Sequence, residues 1–151
     1  MARYNANGSL DTSFGGTGKV ITDIGGPWTS GSGDAANSVA IQSDGKILAA
    51  GYANPLAAGN NDFAVARYNT DGSLDTSFGI GGKVTTNFGS TTDYGYEMAV
   101  QSDGRIVVAG QFGDYPSADF ALARYNKDGS LDTSFDTDGK LTTNFGGGDL
   151  G

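Results

Sequence analysis

Residues 67 to 78, Arg67-Tyr68-Asn69-Thr70-Asp71-Gly72-Ser73-Leu74-Asp75-Thr76-Ser77-Phe78, decide how the rest of the chain is read, because the stretch occurs three times. Copies begin at Arg3 and Arg124, and all three carry Gly-Ser-Leu-Asp-Thr-Ser-Phe unchanged, at residues 8–14, 72–78 and 129–135. Identity over seven consecutive positions marks a tandem repeat, in which each copy is one supersecondary unit that needs a neighbour to bury its apolar face. The copies lie 64 and 57 residues apart, and the surplus falls in the glycine-rich loop near Pro27 to Gly33.

Four strand-like runs bounded by turn residues can be read in each period. Run a is Ser38 to Gln42 and run b is Lys46 to Tyr52, joined by Ser43-Asp44-Gly45; their copies are Glu97 to Gln101 and Arg105 to Phe112, joined by Ser102-Asp103-Gly104. Asp-Gly between apolar runs predicts a hairpin, since glycine accepts the positive φ of the turn without a Cβ clash. Run c is Asp62 to Asn69, repeated at Asp119 to Asn126. Run d is Lys83 to Phe88, repeated at Lys19 to Ile24 and Lys140 to Phe145.

Run c places Phe63, Val65 and Arg67 on one face and Ala64, Ala66 and Tyr68 on the other. Neither face is simply polar, so both should be covered, as in stacked sheets. The expectation is an all-β chain of tandem four-stranded antiparallel meanders, propeller blades in about two and a half repeats. The units are residues 1–33, a partial repeat, then 34–93 and 94–151, each a full one. With 26 glycines among 151 residues and few strong helix formers, turns should dominate and helix should be almost absent.

The quoted motif, with Gly-Lys-Ile-Leu-Ala-Ala-Gly before it and Gly-Lys-Val-Thr-Thr-Asn-Phe after it, resembles the bacterial delta-60 repeat. The resemblance covers nearly the whole chain. It implies a propeller-like segment of a large secreted or cell-surface bacterial protein, and it carries no established activity. Met1 falls inside a repeat and nothing near it resembles a signal peptide, which fits a fragment of a longer array.

In order the half-units read cd, ab, cd, ab, cd, so three cd halves face two ab halves. Two full blades are also fewer than the four to eight of a closed propeller. Self-association through open faces, as a homo-oligomer or a fibre, is therefore expected.

Charge and composition exclude several other roles. A net charge of -8 and a pI near 4.1 disfavour nucleic acid and anionic lipid, which need clustered Lys and Arg. No segment has the roughly 18 apolar residues of a membrane helix. There is no cysteine and no histidine, and Glu97 is the single glutamate, so neither a thiolate metal site nor the usual nucleophile and base pair is available. Catalysis is not expected.

Two readings of the motif stay open. Asn69, Asp71, Ser73 and Asp75 have the alternate spacing of a calcium loop, with Asn126, Asp128, Ser130 and Asp132 in the third copy. Against calcium, a cation stands two residues before each Asn: Arg3, Arg67 and Arg124. The competing reading is structural pairing of Arg3 with Asp11, Arg67 with Asp75 and Arg124 with Asp132, where a guanidinium meets a carboxylate bidentately. No other cofactor is indicated. The run Asp136-Thr137-Asp138 reads as a solvated acidic loop or a local cation site.

A glycan or protein ligand would be met by the variable loops, where Trp28, Tyr94 and Tyr115 are the aromatic candidates. A carbohydrate-binding propeller is thus the alternative to a structural or adhesive module, and a calcium-stabilised one follows it.

Overall fold

The computed structural model describes residues 1–25, 33–54, 60–90, 92–114 and 116–146. These residues form two four-stranded antiparallel sheets and contain no helix. The first sheet runs in the order β1 (Ala35–Ile41), β2 (Ile47–Ala53), β3 (Asp62–Tyr68), β4 (Lys83–Thr86). The second repeats it as β5 (Asp93–Val100), β6 (Ile106–Phe112), β7 (Asp119–Tyr125), β8 (Lys140–Thr143). The expected meanders are present, and neighbours in sequence are neighbours in the sheet.

The Asp-Gly hairpins form at Gly45 and Gly104, both at positive φ. Runs a begin earlier than the alternation of apolar residues suggests. A bulge lies between Ala36 and Ser38 in β1 and another between Gly95 and Glu97 in β5, and each interrupts the period of two while pairing continues beyond it. Gly51 and Gly110 sit opposite these bulges. A Cβ on Gly110 would lie 1.8 Å from the Tyr94 carbonyl oxygen, so only glycine lets the strands close there.

Run d of the first copy departs from expectation. Lys19 to Ile24 is not a strand, and only an isolated bridge joins Ala2 to Lys19. A strand needs a partner along its length, and in this copy run c contributes only residues 1 to 5.

Both faces of β3 are covered, and all seven of its residues are buried. Phe63 and Val65, with Leu48 and Ala50, pack against Ile106, Val108, Ala121, Ala123 and Tyr125 of the second sheet. On the other face Ile47, Ala66 and Tyr68 pack on Phe14, Val20 and Ile24 of the first copy. Small residues therefore face large ones across each junction, which allows the layers to close up. The first copy supplies no a or b run, and a cleft of about 530 Å³ is left beside it, walled by Val20, Ile24, Ala49, Gly51, Ala64 and Ala66.

Candidate functional site

The motif is a looped strand end tied back on itself. After β3 the chain turns through Asn69 to Ser73, with Gly72 at φ +87. Leu74 then bridges Tyr68, and the Asp75 amide donates to the Arg67 carbonyl at 2.9 Å. The Arg67 amide in turn donates to Gly82 at 2.9 Å, so both main-chain groups of this residue hold the connection to β4.

The Arg67 side chain does more than pair with an acid. Its Nε donates to Asp75 Oδ2 at 2.7 Å and its Nη2 to Ser77 Oγ at 3.2 Å, and its guanidinium lies 4.6 Å over the Phe78 ring. Its Nη1 reaches the carbonyl of Lys127, in the next copy, at 2.6 Å. The expected bidentate fork is thus absent: one carboxylate oxygen takes Nε, and the fork is shared with a serine and a neighbouring main chain. The free side of Asp75 Oδ2 accepts from Lys46 Nζ at 2.8 Å, and Asp132 receives both Arg124 Nε at 2.8 Å and Arg105 Nε at 3.0 Å. Lys46 and Arg105 open the two b runs, and the sequence alone does not name the acid that each meets. Their shared position just after the Asp-Gly turn, in the two copies that have a run b, is the signal that points to the acid they serve. Arg3 pairs with Asp11 at 2.8 Å without a second cation, because its copy has no run b.

The calcium-loop oxygens are engaged within the turn. Asp71 Oδ1 accepts from the Ser73 amide at 2.9 Å and from Ser73 Oγ at 2.6 Å, and Asn69 turns its amide nitrogen onto Ser73 Oγ at 3.0 Å. The same bonds link Asn126, Asp128 and Ser130. Among the described residues no group of three His, Cys, Asp or Glu comes together in a way that could hold a metal ion. In the third copy Asp136 and Thr137 take φ of 45° and 67° where the first copy has glycines, and Asp138 pairs with Lys140 at 3.6 Å.

Tyr94 stacks on Tyr96 at 6.3 Å between ring centroids and meets Tyr52 edge-on at 4.6 Å, and its hydroxyl accepts from Asn61 at 3.0 Å. Trp28 and Tyr115 lie outside the described residues.

Every junction between copies repeats one set of contacts. Arg3 Nη1 donates to the Thr70 carbonyl, as Arg67 does to Lys127. The Gly15 and Gly79 amides donate to the Asp71 and Asp128 carbonyls, both at 2.7 Å. Tyr68 donates to Thr22 Oγ1 and Tyr125 to Thr86 Oγ1, each at 2.8 Å. Lys83 Nζ reaches the Asp23 carbonyl at 3.0 Å and Lys140 Nζ that of Asn87 at 3.3 Å. Phe14 and Phe78 are buried beneath Gly72 and Gly129, where a Cβ would come within 2.9 and 3.0 Å of the rings.

Two opposite electrostatic environments act on carboxylates here. The Lys46 ammonium and the Ser77 hydroxyl hold Asp75 far below the usual carboxylate range, and the Ser134 hydroxyl lowers Asp132. Burial raises Asp62 and Asp93, and the charge of Asp93 raises Asp62 further. Lowered groups stabilise the fold above their unfolded value of about 3.8 and lose that contribution as pH falls through the folded value. Raised groups act oppositely: their stabilisation is complete below 3.8 and is lost as pH rises through the raised value. Thermal melts should therefore improve from neutral to mildly acidic pH and deteriorate below about 4. Asp62→Asn should flatten the acidic gain. A melting temperature that falls continuously from pH 7 would contradict this assignment.

A family model described as "Domain of unknown function (DUF5122) beta-propeller" matches residues 1–14, 42–78 and 101–135, more than half of the chain. These segments contain all three motif copies and both b runs. No curated protein matches the chain.

Proposed function

Since the chain belongs to the DUF5122 beta-propeller family, a domain of unknown function, we propose that it is a non-catalytic structural module, a delta-60-like propeller segment that associates with its own kind through open blade faces. One observation carries this reading: the same repeated side chains join copy to copy at both junctions. Of the motif's side chains, Arg, Tyr and Phe each act across a junction.

The module acts by presenting a face. Main-chain carbonyls, one tyrosine and a glycine platform form one side of each copy, and a guanidinium, a phenyl ring and a threonine form the other. The first and third copies each present one such side to solvent: Tyr4 is 62% exposed, whereas Tyr68 and Tyr125 are 5% and 0% exposed. Apolar surface left open in this way drives association.

Light scattering over a concentration series tests the proposal. The expected result is a mass above that of one chain, rising with concentration to a discrete oligomer or to continued growth. A single-chain mass at every concentration would overturn it.

A further inference from the structure

We infer that two copies of this chain mate head to tail, the third motif of one docking on the first motif of the other through the same contacts that join copies within the chain. The inference rests on the self-association proposed above and specifies its geometry.

The argument is one of unmet partners. Arg124 holds Asp132 and Ser134 as Arg67 holds Asp75 and Ser77, but among the described residues its Nη1 meets no carbonyl of a following copy. The equivalent carbonyl in the first motif, that of Ala6, stands where Thr70 and Lys127 stand in the other two. Phe135 is half-buried, unlike Phe14 and Phe78, because none of the described residues plays the part of Gly72 above it; Gly8 has open space where its Cβ would be. Thr143 is exposed while Thr86 is buried under Tyr125, and among the described residues Tyr4 meets no threonine as Tyr68 and Tyr125 do. The Asp136 amide and the Asn7 carbonyl form the corresponding main-chain pair.

These contacts also explain why a half-blade suffices. Every one of them lies on runs c and d or their connection, and none uses run a or b. The first copy already docks on the first full sheet in this way, with Arg3, Phe14, Gly15 and Thr22 as its contacts. The shortage of ab halves therefore does not block mating, although the cleft beside the first copy stays open.

The two mating sides differ, so the contact is heterologous, and each chain has one of each. Two variants test this. Tyr4→Asp spoils the leading side and Thr143→Asp the trailing side, both at exposed positions, and the paired acids repel wherever the two spoiled sides meet. Each variant alone should remain monomeric, with association weakened by roughly tenfold or more. An equimolar mixture should form a dimer and stop there. If wild type associates but either variant alone still dimerises, the contact is isologous and the head-to-tail assignment fails while self-association stands. A mixture that remains monomeric also refutes it. A monomeric wild type removes the underlying reading as well. At a concentration where wild type is monomeric, the melting curves of the variants must overlay it; should either fail that check, Lys19→Glu and Phe145→Asp, at the positions equivalent to Lys140 over the Phe88 ring, supply a second pair on the same two sides, judged by the same outcomes.

Discussion

Arg67→Ala is expected to lower the unfolding free energy by about 3 kcal/mol, because it leaves the buried carboxylate of Asp75 with Lys46 as its one charged partner and removes a bond to the next copy. The pair lies at the end of β3, beneath the rim of the sheet rather than in its centre, so the lower end of the range for broken buried pairs applies. Arg67→Lys should recover little of the loss. An ammonium cannot serve Asp75, Ser77 and the Lys127 carbonyl together, nor stack flat on Phe78. In the single chain Arg124→Ala should cost distinctly less, since that guanidinium is more exposed and, among the described residues, spans no junction. Urea denaturation of the three variants measures the difference. Equal losses at positions 67 and 124 would show that the internal ion pair, and not the junction, supplies the effect.

Phe78→Ala should be at least as severe, at about 3–5 kcal/mol, because the ring is fully buried between its own turn and Gly129 of the next copy. The cavity cannot collapse easily where the far wall is main chain. Phe135→Ala removes the same atoms from the same local motif, yet in the single chain the ring there is half-exposed, and at concentrations where the chain is monomeric a much smaller loss is expected. Arg67 and Phe78 touch, so the double variant should lose less than the sum of the two single ones. Strict additivity would argue that the stacking contributes nothing. Equal losses at 78 and 135 would mean that the junction does not seal the ring.

These contrasts show where the sequence was readable. Strands β2 and β3 were legible because alternation, the Asp-Gly turn and the exact duplication all agreed. The starts of β1 and β5 were not, since a bulge breaks the period and Ala35, Ala36 and Gly95 have no pattern of their own. The Arg67–Asp75 contact could be anticipated from a spacing of eight residues and complementary charge. Its division among a serine and a remote carbonyl could not, because the carbonyl belongs to Lys127, sixty residues on, and any residue type offers one. The Tyr68 and Thr22 pair was hidden for a related reason: both recur in every copy, and a repeat aligned to itself does not reveal which copy a side chain visits.

That use of carbonyls carries a consequence for how such a chain can change. Ala6, Thr70 and Lys127 occupy one position in the three motifs and share no side-chain chemistry, yet the structure asks only for the oxygen of their peptide groups. The joint between copies is in this respect blind to spelling. A duplicated or deleted period would leave each remaining joint with the donors and acceptors it needs, so copy number can drift by whole units while the letters at these positions drift independently.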